Sequence, residues 1–225
     1  MTSQIIFLGT AGDSSVTAKQ LRGSGGIVLQ IEDFQFNLDP GPGTLNKMKE
    51  FSLNIRATTA LLASHAHLNH CNDINALVDA MTLSGLDKKG VLIANKTIIE
   101  GNENYNPYLT KYHKNLLEKV ITLEKGQKVG IELVEIHALS AEHTDPNSLG
   151  FKFYCPRFTL GYTGDTKYNK QLVEELQGSD ILILNVPYPG NKSENLNLDT
   201  ESATKIIAKV KPRLAIITHF GLEML

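Results

Sequence analysis

No apolar stretch in the 225 residues approaches the length needed to span a membrane. The start, Met1-Thr2-Ser3-Gln4-Ile5-Ile6-Phe7-Leu8-Gly9, lacks a basic n-region, and its apolar run is too short for a signal peptide. Cysteine is scarce. Cys71 and Cys155 are far apart in sequence and neither lies in a CxxC pair, so free thiols in a reducing cytoplasm are expected. Charge imbalance is also missing: 22 Lys and Arg stand against 24 Asp and Glu, a formal net charge of −2. That gives no support to a broad nucleic-acid-binding face, though it leaves room for a local basic patch. There is no low-complexity tail. The chain is 41% hydrophobic and 20% charged, enough to bury a real core in one large domain or two small ones.

The first strand is expected over Gln4 to Leu8, ending in Gly9-Thr10-Ala11-Gly12-Asp13, where small residues let the backbone turn sharply. A Gly- and Ser-containing connection follows, with Lys19, Arg22 and Gly25-Gly26. Strands over Ile27 to Ile31 and Phe34 to Leu38 flank a tight turn at Glu32-Asp33. Asp39-Pro40-Gly41-Pro42-Gly43 forces an irregular loop. A helix over Thr44 to Phe51 leads to a strand over Thr58 to Ser64. Ile74, Leu77, Val78 and Met81 have helical spacing, ending near Gly85. Val91 to Ala94 is a short strand, and the Asn- and Tyr-rich segment 101–115 reads as a surface insertion.

Strands are then expected over Val120 to Leu123, Val129 to Ala138, Gly150 to Tyr154 and Phe158 to Tyr162. A helix over Leu172 to Leu176, a buried strand over Ile181 to Leu184, a helix over Thr200 to Val210 and a strand over Leu214 to Thr218 complete the chain. Strands dominate the first part and alternate with helices toward the end, without a regular βαβ repeat. The pattern suggests sheets packed face to face with helices outside, as one domain.

The chain is organised around Leu61-Leu62-Ala63-Ser64-His65-Ala66-His67-Leu68-Asn69-His70-Cys71-Asn72-Asp73. Three of the seven histidines fall between an apolar run and a segment with helical periodicity. A strand ending in His65 and His67 puts two imidazoles on one side, because side chains alternate along a strand. His70 then comes from the turn or the first helical residues. Neutral imidazole nitrogens are good ligands for zinc and similar ions, so this is read as a metal site.

Three further motifs fall at strand ends: His143 in a loop between strands, Asp165 in Gly164-Asp165-Thr166, and His219 after the last strand. Singly, Asp165 reads as a turn or helix cap and His219 as a partly buried hydrogen-bonded histidine. Jointly with the first motif they amount to five histidines and one aspartate, enough to hold two metal ions. His137 sits within a strand and is expected to pack or hydrogen-bond there. His113 is expected at the surface, and Tyr188-Pro189-Gly190 is only a candidate rim.

The ordered set His65-Ala66-His67-Leu68-Asn69-His70, His143, Gly164-Asp165-Thr166 and Thr218-His219 resembles the metallo-β-lactamase-fold hydrolase superfamily. Phe7-Leu8-Gly9-Thr10 and Asp39-Pro40-Gly41 match it too, so the resemblance covers nearly the whole chain. It implies an α+β fold, a four-layer αββα sandwich, as a single domain over residues 1–225. It further implies that His65, His67 and His143 bind a first metal, His70 and His219 a second, and that Asp165 bridges them. The Gly-Asp-Thr and Phe-Leu-Gly-Thr motifs are more similar to the phosphodiesterase and tRNA-processing nuclease branch than to true β-lactamases.

One residue departs from the pattern. The family's first motif reads HxHxDH, and Asn69 stands where its aspartate ligates the second metal and can accept a proton. Asparagine keeps a coordinating oxygen but carries no charge and cannot act as a base near neutral pH. A weaker second site, or a preference for one ion, is therefore expected. Asp73 is expected on the following helix as a solvated or helix-dipole aspartate.

The implied cofactors are two divalent ions, zinc first, with manganese and iron as alternatives. Such ions lower the pKa of water to about 7 and neutralise developing charge. Lys19 and Arg22 could receive a phosphate, although their reading as solvated loop residues is at least as good. The leading expectation is a metal-dependent hydrolase of a phosphodiester, in RNA or a small molecule such as a cyclic nucleotide. A thioester or other carbonyl substrate, or a metal-binding protein impaired by Asn69, forms the alternative. No long basic insertion resembles a tRNA-gripping arm. The chain stops soon after His219, where related proteins add a helix and a strand, so a shortened C-terminus or one completed by a partner subunit, as in a homodimer, is expected.

Overall fold

A computed structural model describes residues 3–24, 26–190 and 196–225. Met1, Thr2 and Gly25, which entered the sequence reading, lie outside the described residues. The chain divides into two compact units: Met1–Thr10 with Arg22–Leu123, and Ala11–Leu21 with Glu124–Leu225. The short helix α1, Ser14–Ala18, falls in the expected Gly/Ser connection and belongs to the second unit. Asp13 is the reason it forms. Its carboxylate caps the helix by accepting from Val16 N at 2.8 Å, and Val16 is fully buried.

The first unit is one six-stranded sheet in sequential order: β1 Gln4–Phe7, β2 Ile27–Ile31, β3 Phe34–Leu38, β4 Thr58–Ala63, β5 Val91–Ala94 and β6 Lys119–Thr122. The first three strands are antiparallel and the rest parallel. Ile31 pairs with Phe34, closing the expected turn at Glu32-Asp33, with Glu32 at a φ of 53°. Parallel neighbours need crossovers. Here they are α2 (Thr44–Glu50), α3 (Leu68–Cys71) with α4 (Ile74–Thr82), and α5 (Lys96–Glu100) with α6 (Lys111–Leu116). Helices therefore alternate with strands in the first half as well, contrary to the expectation that strands dominate there. The short α5 was hidden because five residues carry too little periodicity.

The expected apolar stripe of α4 is fully buried, with Leu8, Met48, Leu61, Leu92 and Ile98 in the same core. Each such side chain stabilises the unit by about 1.5–3 kcal/mol. Segment 101–115 is largely exposed, as expected, but two asparagines of the 69–75 region tie it down. Asn75 Nδ2 donates to Tyr108 O at 2.9 Å, and Tyr108 Oη donates to Asn72 Oδ1 at 3.1 Å. Burial, with Cys71 and Asp73 nearby, pushes the Tyr108 hydroxyl up to about 12, so it stays a donor.

The second unit is again one six-stranded sheet: β7 Lys128–Ile131, β8 Val134–Ser140, β9 Leu149–Tyr154, β10 Thr159–Tyr162, β11 Ile181–Asn185 and β12 Leu214–Thr218. It is antiparallel through β10, and β10, β11 and β12 run parallel, joined by α7 (Lys170–Glu175) and α8 (Thr200–Val210). The single strand expected over Val129 to Ala138 is a hairpin. Ile131 pairs with Val134 and Glu132 takes a φ of 54°, a turn that no glycine or asparagine announced. β11 is buried as expected, whereas β12 lies at the sheet's edge with Leu214 and Ile217 exposed. Leu172, Leu176, Leu182, Leu184, Ile206 and Val210 share its core. Among the described residues, no helix is long and apolar enough to cross a membrane.

Candidate metal centre

In the first unit β4 stops at Ala63, so His65 and His67 leave from a loop and not from the strand itself. The cause is Asp39. Its Oδ1 takes the Ser64 amide at 2.7 Å, ending the ladder one residue before His65. Its Oδ2 accepts from Ser64 Oγ at 2.8 Å and from His70 Nδ1 at 2.8 Å. Because Ser64 Oγ gives its proton to Asp39, it accepts from His65 Nδ1 at 2.9 Å. Both imidazoles are thereby held with the proton on Nδ1 and a lone pair on Nε2, the form a metal requires.

His65 Nε2 and His67 Nδ1 face one another at 3.0 Å, and the His65 and His70 rings lie 4.1 Å apart. The three histidines are thus brought together, His70 from the helical turn α3 as expected. His65 and His70 are buried, and His67 and Asn69 half-buried. Gly41 must stay glycine, since a Cβ there would meet Asn69 O at 2.1 Å.

Asp73 is neither helical nor solvated. It precedes α4, is 8% exposed, and accepts from Leu45 N at 3.1 Å, which fixes the start of α2. Of the two expected roles, the helix-terminal position holds, with Asp73 at the N-cap of α4, and the solvated one fails because burial with a backbone donor outcompetes hydration.

In the second unit, Asp165 is the centre. Its Oδ2 lies 3.1 Å from His219 Nε2 and 3.8 Å from His143 Nε2. Its Oδ1 accepts from Asn185 Nδ2 at 2.7 Å, and the same amide group donates to Tyr162 Oη at 3.0 Å. His143 donates from Nδ1 to Leu196 O at 2.7 Å, which again leaves Nε2 as the lone-pair nitrogen. The side chains of all three are within a tenth of full burial.

His219 adopts a φ of 67°, a left-handed conformation that costs a non-glycine residue about 1–2 kcal/mol. The segment Ala11–Asp13 holds it there. Gly12 N donates to Phe220 O at 2.8 Å, Ala11 bridges Phe220, and Leu222 N donates to Asp13 Oδ2 at 3.1 Å. A Cβ on Gly12 would sit 2.0 Å from the His219 carbonyl oxygen and 3.0 Å from its Cδ2. Gly12→Ala is therefore expected to lower unfolding free energy by about 3 kcal/mol and to displace His219. Urea denaturation and bound-metal analysis of the variant check both effects.

The remaining residues fall as follows. Lys19 and Arg22 are both exposed, and Arg22 Nη1 donates to Thr10 Oγ1 at 3.2 Å. His137 lies in β8 with Nε2 at 2.6 Å from Glu135 Oε1, a hydrogen bond that holds the Glu135 carboxyl below its ordinary range. His113 pairs with Thr110 Oγ1 at 2.7 Å at the surface. Sequence reasoning passed over Asp39, Ser64, Asn185 and Gly12 as site residues. Asp39 carried a signal as part of a turn and of a motif matching the family, Gly12 as part of a small-residue turn, and Ser64 as a member of the histidine stretch, while Asn185 carried none.

Imidazole nitrogens, three of them on rings anchored through Nδ1, and a carboxylate oxygen flanked by two of the imidazoles are a donor set that fits divalent cations of the zinc type. Residues 35–220 match the family described as the Beta-lactamase superfamily domain. An uncharacterized protein of Methanocaldococcus jannaschii is 32% identical over 226 residues, covering 100% of this chain and 85% of that protein. A Ribonuclease Z of Clostridium botulinum is 24% identical over 196 residues, covering 79% of this chain and 60% of the enzyme. The crystal structure of a diphosphatase from the PhnP family superposes with a TM-score of 0.75 at 18% identity, covering 100% of this chain and 88% of that one. The chain belongs to the metallo-β-lactamase superfamily of metal-dependent hydrolases and has its two-sheet α+β fold.

Proposed function

We propose that the protein is a phosphodiesterase that works with two divalent cations, zinc first and manganese or iron as alternatives. The observation that carries this reading is Asp165 Oδ2, which faces Nε2 of both His219 and His143 at 3.1 and 3.8 Å. A carboxylate oxygen so flanked suits a ligand shared by two ions. In this reading His65, His67 and His143 hold one ion, His70 and His219 hold the other, and Asn69 offers its carbonyl oxygen to the second. When bound, the cations supply a nucleophilic water at neutral pH and compensate charge on phosphate oxygens. The chain's own work is orientation. Asp39 and Ser64 set the tautomers of His65 and His70, Leu196 O that of His143, and Asn185 the rotation of the Asp165 carboxylate. Arg22 and Lys19 are the proposed phosphate contacts outside the ligand set. The likeness to a Ribonuclease Z and a diphosphatase favours a phosphate ester over a carbonyl substrate.

Cys155 is not a nucleophile in this reading. Among the described residues Cys71 and Cys155 form no disulfide, and burial pushes the Cys155 thiol up to about 12, too high for a nucleophile. Both thiols fit the proposed cytoplasmic location.

Asn69 favours a second reading, a metal-binding protein with impaired catalysis, and one experiment separates the two. Metal-loaded protein and the Asn69→Asp variant are assayed on bis-p-nitrophenyl phosphate, short RNA and cyclic nucleotides, beside thioester and lactam substrates. Slow phosphodiester turnover is expected, accelerated about tenfold or more in Asn69→Asp, where a charged ligand tightens the second ion. Calorimetric titration of metal-free protein should show the same order of affinity. Thioester or lactam cleavage without phosphodiester turnover in either protein would overturn the reading.

A further inference from the structure

The second unit carries a groove of about 380 Å³ lined by Lys167, Tyr168, Asn197, Ser202, Lys205 and Lys209. Three of its six lining residues are lysines and none is acidic, in a chain whose net charge is −2. Ser202, Lys205 and Lys209 stand at i, i+3 and i+7 of α8, so they share one helical face. Lys209 also lines an adjoining groove of about 480 Å³ between α7 and α8, where Lys170 and Lys211 add charge against the single carboxylate of Glu174.

The position matters as much as the charge. Lys167 and Tyr168 continue the chain directly from Asp165-Thr166. Lys167 N donates to Glu142 O at 3.0 Å, next to His143, while Lys167 Nζ pairs with Glu142 at 2.8 Å. Asn197 follows Leu196, whose carbonyl anchors His143. The first groove therefore begins at the backbone that carries His143 and Asp165, and Lys209 continues the cationic surface along α7 and α8. Lys209 Nζ donates to Tyr168 Oη at 2.9 Å, which ties one lysine to another residue lining the same groove.

A lone nucleotide has no phosphates to place on cations that far along two helices. A chain of phosphodiesters does. We propose that the α7–α8 lysine grooves are a binding site for the backbone of a single-stranded nucleic acid, holding phosphates beyond the bond to be cleaved. The proposal rests on the phosphodiesterase reading only for the direction in which the strand runs. Contacts from flexible lysines to phosphate are indifferent to base sequence and strongly salt-dependent.

The test measures binding alone, so it stands apart from turnover. A fluorescent single-stranded oligonucleotide, in RNA and DNA forms, is titrated against the full chain and the Lys205→Glu/Lys209→Glu variant at several salt concentrations. Both side chains are exposed, so the fold should be unaffected. Affinity is expected to fall about tenfold or more, and the salt slope to shrink by about 1.4, the value for two single-strand phosphate contacts. Lys49→Glu/Lys88→Glu, an equal charge change at two exposed lysines of the first unit, should leave binding unchanged. The proposal is overturned by any of three results: wild-type binding no tighter than to polyglutamate of equal charge, equal losses in the Lys49→Glu/Lys88→Glu variant, or an unchanged salt slope in the Lys205→Glu/Lys209→Glu variant. Failure of the phosphodiester assay with intact lysine-dependent binding would refute the catalytic reading and leave the groove standing.

Discussion

Replacing Asp165 by alanine is expected to abolish one equivalent of bound metal and reduce phosphodiester hydrolysis by roughly a thousandfold, about 4 kcal/mol of transition-state stabilisation. The effect should be large because three contacts converge on one side chain. Oδ2 faces His219 at 3.1 Å and His143 at 3.8 Å, while Oδ1 is held by Asn185 at 2.7 Å. Removing the carboxylate takes away the negative group proposed to be shared between the two ions and leaves the Asn185 side-chain amide with Tyr162 Oη. Asp165→Asn separates charge from shape. It keeps the volume and one oxygen, so the fold should survive while metal content still falls. Elemental analysis and rate measurement on both variants decide the matter. Full metal occupancy in Asp165→Ala would remove Asp165 from the ligand set.

Asp39→Ala should produce the largest loss of stability, about 3–5 kcal/mol by urea denaturation. Asp39 is 4% exposed and accepts three hydrogen bonds, from Ser64 N, Ser64 Oγ and His70 Nδ1. Truncation leaves buried donors behind, and each unsatisfied group costs about 1–3 kcal/mol. Asp39 also takes a φ of 50°, so alanine inherits the strained backbone without the side-chain contacts that hold it. Loss of the anchors on His65 and His70 frees both tautomers, and metal affinity should drop about 10–100-fold. A milder Asp39→Asn variant should retain the Ser64 amide contact and fold, yet bind metal more weakly. Metal affinity equal to wild type in that variant would limit Asp39 to a structural role.

The sequence by itself determined the elements whose physics is local. The Glu32-Asp33 turn, the α4 stripe of Ile74, Leu77, Val78 and Met81, and the span of α8 all follow from turn chemistry or a 3.6-residue period within one segment. The candidate ligands were also legible, because histidine is rare here and three of the seven crowd into His65-Ala66-His67-Leu68-Asn69-His70. What only the tertiary structure decided are the partners brought from far along the chain. Asp39 ends β4 and fixes His65 and His70 from 25 residues or more away. Gly12 supports a strained His219 across two hundred residues, and no local pattern marks it apart from any other turn glycine. Asp73, expected as a solvated or helix-dipole aspartate, is buried at the start of α4 because the Leu45 amide claims its carboxylate. The near-neutral charge of the chain left room for a local basic patch without placing it, and the lysines of the α7–α8 grooves lie apart in sequence. They became one surface because helix packing sums over positions that the sequence keeps apart.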